Sequence, residues 1–214
     1  MPDSRPSTSS LVEPANRSAS VRTDTLRENS CRTGALTLIL GCMFSGKSTR
    51  LLDTLRDPSK GAFLLFKHRM DRRYAVDAVV THARDSLPAI AVAEPAEVLN
   101  WVKRETAVVG IDEAHFFPLD LLDVIHELLG RGVDVLGTAL DRNSWGRSIA
   151  VVEALRPLAS RVDLLAAVCG RCGRIASRTQ RTTPIRGTLV GGPESYEPRC
   201  DLCWTPPPEP VPLE

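Results

Sequence analysis

The sequence predicts an α/β fold, with a mostly parallel sheet, helices on both faces and a small second unit near the carboxyl end. Short apolar segments typical of buried strands alternate with segments of helical periodicity. A glycine-rich loop joins the first strand to the first helix, and two C-x-x-C pairs follow the last strand. A chain of 214 residues, 43% of them hydrophobic, suits one such domain with a small appendage.

The glycine-rich loop is the strongest local signal in the chain. Residues 35–40 predict a strand, residues 49–55 predict a helix, and the loop Gly41-Cys42-Met43-Phe44-Ser45-Gly46-Lys47-Ser48 lies between them. The spacing G-x-x-x-x-G-K-[ST] is that of the P-loop, in which backbone N–H groups and the helix N-terminus surround a polyphosphate. We expect Lys47 to reach the β- and γ-phosphates and Ser48 to bind Mg²⁺. The alternative is a chance match, and the flanking strand and helix argue against it.

Further apolar segments complete the predicted sheet and place an acidic pair at its edge. Strands are predicted at residues 62–66, 89–92, 107–111, 133–140 and 162–168, and helices at residues 94–104, 119–129 and 149–158. Asp112 and Glu113 end the strand at 107–111, at the edge where open α/β sheets bind ligands. Asp112 is a candidate group for the Mg²⁺ complex, and Glu113 is a candidate general base. The alternative is an ordinary acidic pair at the start of a loop.

The polar stretch at residues 67–74 follows the second strand and allows two interpretations. Basic residues at this edge of the sheet suit ligand binding. They also suit a solvated charged loop, and the residues alone leave both readings open.

Four of the six cysteines form two C-x-x-C pairs, Cys169 with Cys172 and Cys200 with Cys203, separated by 27 residues. Two such pairs supply four thiolates tetrahedrally to Zn²⁺, and with all four positions filled the site is structural rather than catalytic. The alternatives are a redox C-x-x-C motif or disulfides, which are less common in a cytosolic enzyme. Cys42 is interpreted as a small filler of the phosphate loop.

The composition argues against several classes of partner. A formal net charge of +1 offers no bulk attraction to nucleic acid or to an acidic membrane surface. No apolar run approaches the roughly 20 residues that cross a bilayer, and the first 30 residues lack a signal-peptide core, so we expect a cytoplasmic protein. Four units are predicted: a disordered extension (1–33), the P-loop α/β domain (34–168), a zinc-binding module (169–204) and a proline-rich tail (205–214).

These motifs together resemble the thymidine kinase family of the zinc-containing type over residues 35–204. The similar segments, in family order, are 41–49, Lys67 with Asp71, Arg73 and Tyr74, Thr81-His82, 111–113 with Phe116-Phe117, 139–141, 167–172, 179–181, and 191–192 with Tyr196, Cys200 and Cys203. The P-loop alone is generic, whereas its combination with the two separated cysteine pairs is specific to this family.

The resemblance implies a transferase that moves the γ-phosphate of ATP to the 5′-hydroxyl of thymidine, giving dTMP for DNA synthesis. It implies Glu113 as catalytic base, Mg²⁺ with ATP, structural Zn²⁺ and a homotetramer. The implied ATP and Mg²⁺ residues are Gly41, Met43, Phe44, Ser45, Gly46, Lys47, Ser48, Thr49, Arg73 and Asp112. The implied nucleoside residues are Met43, Asp71, Phe116, Thr179, Val190, Gly191, Gly192 and Tyr196. The stretch 190–196 resembles a segment, here the lasso segment, that closes over the nucleoside between cysteine anchors.

The sequence departs from the family pattern at four places. Cys42 replaces a proline, His115 a glutamine, Ala83 an acid, and Ser144, beside Trp145, a phenylalanine. These changes motivate a second hypothesis, a P-loop ATPase or paralogue with altered or lost nucleoside specificity. A third hypothesis, a zinc-ribbon protein that binds nucleic acid, draws on five arginines within residues 171–186 but leaves the phosphate loop and Asp112-Glu113 without a role.

Overall fold

The computed structural model describes residues 32–71, 77–81, 84–183 and 193–208. Its strands are β1 (Leu36–Gly41), β2 (Phe63–His68), β3 (Ala78–Val80), β4 (Ser86–Pro88), β5 (Ile90–Val92), β6 (Val108–Asp112), β7 (Asp134–Leu140), β8 (Arg161–Leu165), β9 (Ala167–Val168), β10 (Ile175–Ala176), β11 (Arg178–Arg181) and β12 (Tyr196–Arg199). Its α-helices are α1 (Lys47–Leu55), α2 (Leu121–Gly130) and α3 (Ala150–Leu155), and 3₁₀ turns lie at Pro58–Lys60, Pro95–Asn100, Ala114–Phe116, Arg156–Leu158 and Pro193–Ser195.

The central sheet contains the six predicted strands in the order β5-β2-β6-β7-β1-β8. Each neighbouring pair is parallel. All carboxyl ends therefore meet at one edge, where β1 leads into the phosphate loop and β6 ends at Asp112. The predicted mostly parallel α/β architecture is confirmed.

Helices cover both faces of this sheet. On β1, Leu36, Leu38 and Leu40 pack in one buried cluster that contains the apolar sides of α2 and α3. Ile39, between them in sequence, packs in a second buried cluster with the leucines of α1. Since successive side chains of a strand point to opposite faces, α1 lies on one face while α2 and α3 lie on the other.

The structure corrects three predicted elements. The helix predicted at 94–104 is only the 3₁₀ turn Pro95–Asn100. Further along the chain is a turn in which the Thr106 N–H donates to the Lys103 carbonyl and the Thr106 hydroxyl accepts from the Lys103 N–H.

The second correction concerns the second strand, which extends to His68. Lys67 and His68 are therefore buried strand residues rather than members of a solvated loop.

The third correction concerns the last apolar run, at residues 162–168, which forms two strands. β8 is the edge of the main sheet, whereas β9 pairs antiparallel with β10 across the first cysteine pair. The hairpin of β3 and β4 was not predicted, because its two strands are only three residues long.

Most of the predicted amino-terminal extension lies outside the described residues. Arg32, near its end, forms an ion pair of 2.7 Å with Asp134. All described residues belong to one compact unit, so the predicted boundary between residues 168 and 169 stays a prediction. Within the described ranges, every helix is too short or too polar to span a membrane.

Candidate active site

The phosphate loop has the tight geometry that its glycines require. A Cβ on Gly41 would lie 2.4 Å from the carbonyl oxygen of Leu165 and 2.6 Å from Ser45 Oγ, so only glycine fits there. Gly46 precedes α1 with φ of 85°, a left-handed conformation that favours glycine. Lys47 is buried, and its Nζ donates a hydrogen bond of 2.8 Å to the Cys42 carbonyl across the loop.

Ser45 gives this loop a further polar group. Its Oγ is buried and has no hydrogen-bond partner among the described residues. A buried hydroxyl in a loop that precedes a helix N-terminus fits an anionic ligand, which would accept its hydrogen bond.

Asp112 connects the phosphate loop to the neighbouring strands. The Ser48 hydroxyl donates to both of its carboxylate oxygens, at 3.1 Å and 3.3 Å. The Thr138 hydroxyl, from the middle of β7, donates to Asp112 Oδ1 at 2.6 Å. A serine hydroxyl and a carboxylate are oxygen ligands of the kind that Mg²⁺ prefers, so this pair fits the predicted magnesium site.

Glu113 lies directly after β6 in a left-handed backbone conformation, with φ of 52° and ψ of 48°. This conformation is costly for a non-glycine residue and occurs often at functional sites. The Thr138 hydroxyl accepts a hydrogen bond of 2.9 Å from the Glu113 N–H. Thr138 therefore holds both acidic residues at once.

Sequence reasoning missed Thr138 because its strand was interpreted only as a buried strand. The available signal was a single hydroxyl in the otherwise apolar run Val135-Leu136-Gly137-Thr138-Ala139-Leu140. A fully buried hydroxyl needs partners, and here the partners are the acidic residues of the adjacent strand.

Aromatic side chains lie beside Glu113. His115 Nδ1 is 3.2 Å from Glu113 Oε2 and 3.3 Å from the backbone nitrogen of Leu140. Its ring is 4.4 Å, between centroids, from the ring of the partly exposed Phe116. The histidine that departs from the family pattern is thus in direct contact with the candidate base.

Strand β11 brings the nucleoside candidate Thr179 to the phosphate loop, and the candidate Tyr196 lies on the neighbouring strand β12. They pair antiparallel, with Arg181 opposite Tyr196, and form the base of the lasso segment. Thr179 Oγ1 accepts a hydrogen bond of 3.0 Å from the Met43 N–H. Arg181 Nη1 donates to Tyr196 Oη at 3.1 Å.

The four predicted ligand cysteines come together. The Sγ atoms of Cys169, Cys172, Cys200 and Cys203 all lie within 4.8 Å of one another, and those of Cys172 and Cys200 are 3.6 Å apart. Four thiolates at about 2.3 Å from a zinc ion are about 3.8 Å from one another, so the cluster fits tetrahedral Zn²⁺.

The charge state of the cluster also suits a metal. A hydrogen bond from Arg174 lowers the pKa of Cys172 to about 6, which favours the thiolate at neutral pH. The hydrogen bond with Cys172 raises the pKa of Cys203 to about 12, because Cys203 keeps the proton that it shares with its neighbour. A bound cation would displace that proton.

Comparison with known proteins decides the family. A family model described as thymidine kinase matches residues 34–204. The chain belongs to the thymidine kinase family.

Relatives described as thymidine kinase cover most of the chain. One from Mesoplasma florum is 38% identical over 85% of this chain and 95% of its own length. One from Coprothermobacter proteolyticus is 41% identical over 79% of this chain and 89% of its own. One from a Rhodothermus species is 38% identical over 81% of this chain and 83% of its own.

Two of the predicted site residues make no described contact with the phosphate loop, and four others lie outside the described residues. Asp71 is buried and forms an ion pair of 3.4 Å with Lys67, and Thr49 is an exposed residue of α1. Arg73, Val190, Gly191 and Gly192 lie outside the described residues. The individual roles of the site residues stay predictions.

Cys42, which departs from the family pattern, contacts the cysteine module. Its Sγ donates to the Ala176 carbonyl of β10 at 3.4 Å, and it is not a member of the four-cysteine cluster. Burial raises the pKa of this thiol, so the reactive thiolate that a helix N-terminus favours is not stabilised here. The interpretation of Cys42 as a filler agrees with this environment.

Proposed function

We propose that this thymidine kinase transfers the γ-phosphoryl group of ATP to the 5′-hydroxyl of thymidine, giving dTMP and ADP. One observation carries the proposal. The Asp112 carboxylate is bonded to Ser48 of the phosphate loop, while Glu113, the next residue, is held beside it by Thr138. Phosphate-binding groups and a candidate base therefore meet at one edge of the sheet, as transfer of a phosphoryl group to an alcohol requires.

The phosphate loop and Asp112 bind the nucleotide in this proposal. Residues 41–48 contribute backbone N–H groups, and the Lys47 ammonium neutralises phosphate charge. Ser48 and Asp112 would hold Mg²⁺, which when bound offsets the negative charge of the phosphate oxygens. Phosphoryl transfer depends mainly on such positioning and charge neutralisation.

Glu113 acts as the general base. Its carboxylate accepts the proton of the 5′-hydroxyl as that oxygen forms a bond to the γ-phosphorus. The bond from the γ-phosphorus to the bridging oxygen breaks, and ADP leaves. Thr138 positions Glu113 through its backbone N–H, and the His115 ring lies beside the Glu113 carboxylate.

The nucleoside binds between the phosphate loop and the base of the lasso segment. Met43, Phe116, Thr179 and Tyr196 are proposed to contact it, with Asp71, Val190, Gly191 and Gly192 completing the site, while Arg73 is proposed to contact the reacting phosphate. The four cysteines are proposed to hold a structural Zn²⁺ that keeps the ends of the lasso segment together. We further propose a cytoplasmic homotetramer that acts on ATP and a nucleoside rather than on nucleic acid.

A nucleoside panel with radiolabelled ATP tests the proposal. We expect thymidine-dependent transfer of label, and Glu113→Gln should reduce it by at least about a hundred-fold, a general-base contribution, while ATP still binds. Glu127→Gln is the matched control, because Glu127 is an exposed residue of α2 paired with Arg131. Near-normal turnover by Glu113→Gln would refute its role as base.

The same panel tests the alternative of altered specificity. Ser144 and His115 replace family residues, and Trp145 is bonded to the carboxyl-terminal segment. Label transferred to another deoxynucleoside but not to thymidine would favour that alternative over the proposal.

A further inference from the structure

The segment after the second cysteine pair, residues 204–208, is here called the carboxyl-terminal strap. It lies against β11 through a reciprocal pair of hydrogen bonds. Gln180 Nε2 donates to the Thr205 carbonyl at 2.9 Å, and the Thr205 N–H donates to Gln180 Oε1 at 2.8 Å. The Gln180 side-chain amide thus forms two hydrogen bonds of opposite direction with the Thr205 backbone, as neighbouring strands do in a sheet. This pair holds the strap on β11.

The far end of the strap is bound by Trp145. The indole Nε1 of Trp145 donates to the Pro208 carbonyl at 3.2 Å. Residues 206–208 are three consecutive prolines, whose backbone is already restricted to extended conformations. Binding such a segment costs little conformational entropy, which is why aromatic side chains commonly recognise proline-rich chains. Here the recognition is intramolecular.

Trp204, at the start of the strap, packs against the loop that carries Trp145. A Cβ on Gly146 would lie 3.0 Å from the Trp204 ring, and Gly146 has φ of 76°, so glycine is required for this close approach. The Arg178 guanidinium of β11 lies 5.2 Å from the centroid of the same ring. The loop, the strap and β11 are therefore in mutual contact.

The loop at residues 143–147 is internally closed and begins beside the phosphate loop. The Asn143 side-chain oxygen accepts hydrogen bonds from the N–H groups of Trp145 and Arg147, at 3.0 Å and 2.9 Å. Upstream, the Asp141 N–H donates to the Gly41 carbonyl at 3.3 Å. Ser144 is buried within this loop. The hydrogen bonds within the loop set its own conformation, so the strap holds the loop in position without determining that conformation.

We propose that the carboxyl-terminal strap is a positioning element, which holds loop 143–147 against β11 on the side of the proposed nucleoside site. Trp145 and Gln180 are its positioning residues. That side is identified by β11, whose Thr179 is bonded to Met43 of the phosphate loop. The proposal rests on the function proposed above. The proline-rich tail would therefore contribute to the affinity of the enzyme for its nucleoside.

Two truncated chains test the strap. Ending the chain after Thr205 removes the acceptor of Trp145, whereas ending it after Pro208 leaves residues 204–208 intact and serves as the matched control. We expect the shorter chain alone to show faster hydrogen exchange in residues 142–148. Its KM for thymidine should rise about five-fold, the effect of one hydrogen bond, with kcat and the KM for ATP nearly unchanged. The zinc content should equal that of the full chain.

A point variant isolates the hydrogen bond. Trp145→Phe keeps an aromatic ring but removes the Nε1 donor, and should reproduce the faster exchange and the rise in KM for thymidine. Trp101→Phe is the control, since Trp101 is 51% exposed and outside the site.

Unchanged exchange or an unchanged KM for thymidine in both the shorter chain and Trp145→Phe would overturn the proposal. Loss of zinc from the shorter chain would also overturn it, because the tail would then act on the metal site. If the full chain does not phosphorylate thymidine, the proposed function fails, and the role of the strap in nucleoside affinity fails with it. The exchange measurement would still report whether the strap orders loop 143–147.

Discussion

Thr138 is the residue that makes one site out of two adjacent acids. Its hydroxyl donates to Asp112 and accepts from the Glu113 N–H. These two hydrogen bonds orient the Asp112 carboxylate and the Glu113 backbone. Asp112 faces Ser48 of the phosphate loop, and Glu113 turns away through a left-handed backbone. One hydroxyl and one backbone conformation thus give two neighbouring acidic residues different surroundings, as their proposed separate roles require.

Replacing Thr138 with valine should lower kcat for thymidine phosphorylation by about ten-fold or more. Valine has nearly the same shape but neither donates to Asp112 nor accepts from the Glu113 N–H, and a lost hydrogen bond to a buried charged group costs about 1.5–3 kcal/mol. Steady-state kinetics would measure the change. Thr138→Ser retains the hydroxyl and should stay within a few-fold of the parent. Equal kcat values for Thr138→Val and the parent would contradict the assigned role.

Among the secondary-structure elements, α2 forms as predicted because its apolar residues recur at helical spacing and pack on the sheet. Leu121, Ile125 and Leu128 are almost fully buried in the cluster that contains β1. The segment at 94–104 also has apolar residues at helical spacing: Val98 is fully buried, and Leu99 and Val102 pack against the same cluster. It nevertheless forms only a 3₁₀ turn, so apolar spacing by itself does not decide between an α-helix and a shorter turn.

Leu121, the first residue of α2, and Leu119, two residues before the helix, form a matched pair for testing this packing. Leu121 is 0% exposed and Leu119 is 54% exposed. Leu121→Ala should lower the free energy of unfolding by about 2–5 kcal/mol, since it removes buried methyl groups and leaves a cavity. Leu119→Ala should change it by less than about 0.5 kcal/mol. Urea unfolding would measure both, and similar losses would show that exposure does not govern this helix.

On the scale of the whole molecule, the cysteine module (residues 169–204) is hydrogen-bonded to the phosphate loop. Cys42 and Met43 of the loop bond to Ala176 and Thr179 of the module. The four-cysteine cluster lies at the ends of the hairpins that supply these two residues. We therefore expect the order of this cluster to affect the phosphate loop through these short strands.

Cys200→Ser should release zinc and raise the KM for thymidine several-fold, because the module has little apolar core of its own and metal binding supplies its folding energy. Elemental analysis and kinetics would measure the two effects. Cys42→Ser is the control: Cys42 is buried but lies outside the cluster, so this variant should keep full zinc content. Full zinc in Cys200→Ser would exclude Cys200 as a required ligand.

Sequence reasoning alone predicts the parallel α/β class, the phosphate loop, the acidic pair at Asp112 and Glu113, and the four-cysteine cluster. Each of these depends on residues close together along the chain or on spacings that recur wherever the chemistry recurs, so local pattern is sufficient. The six strands of the sheet were likewise predicted from continuous apolar runs.

The contacts between side chains that are distant along the chain could not be predicted in this way, because they depend on how the elements pack. Thr138 contacts Asp112 because β6 and β7 are neighbours in the sheet, an order that no local pattern encodes. Lys67 is buried because β2 continues past its apolar run, and Trp145 finds Pro208 only once β11 and the strap are in place. The physical reason is the same throughout: a hydrogen bond or ion pair depends on distance in space, and packing sets that distance between residues far apart in the chain.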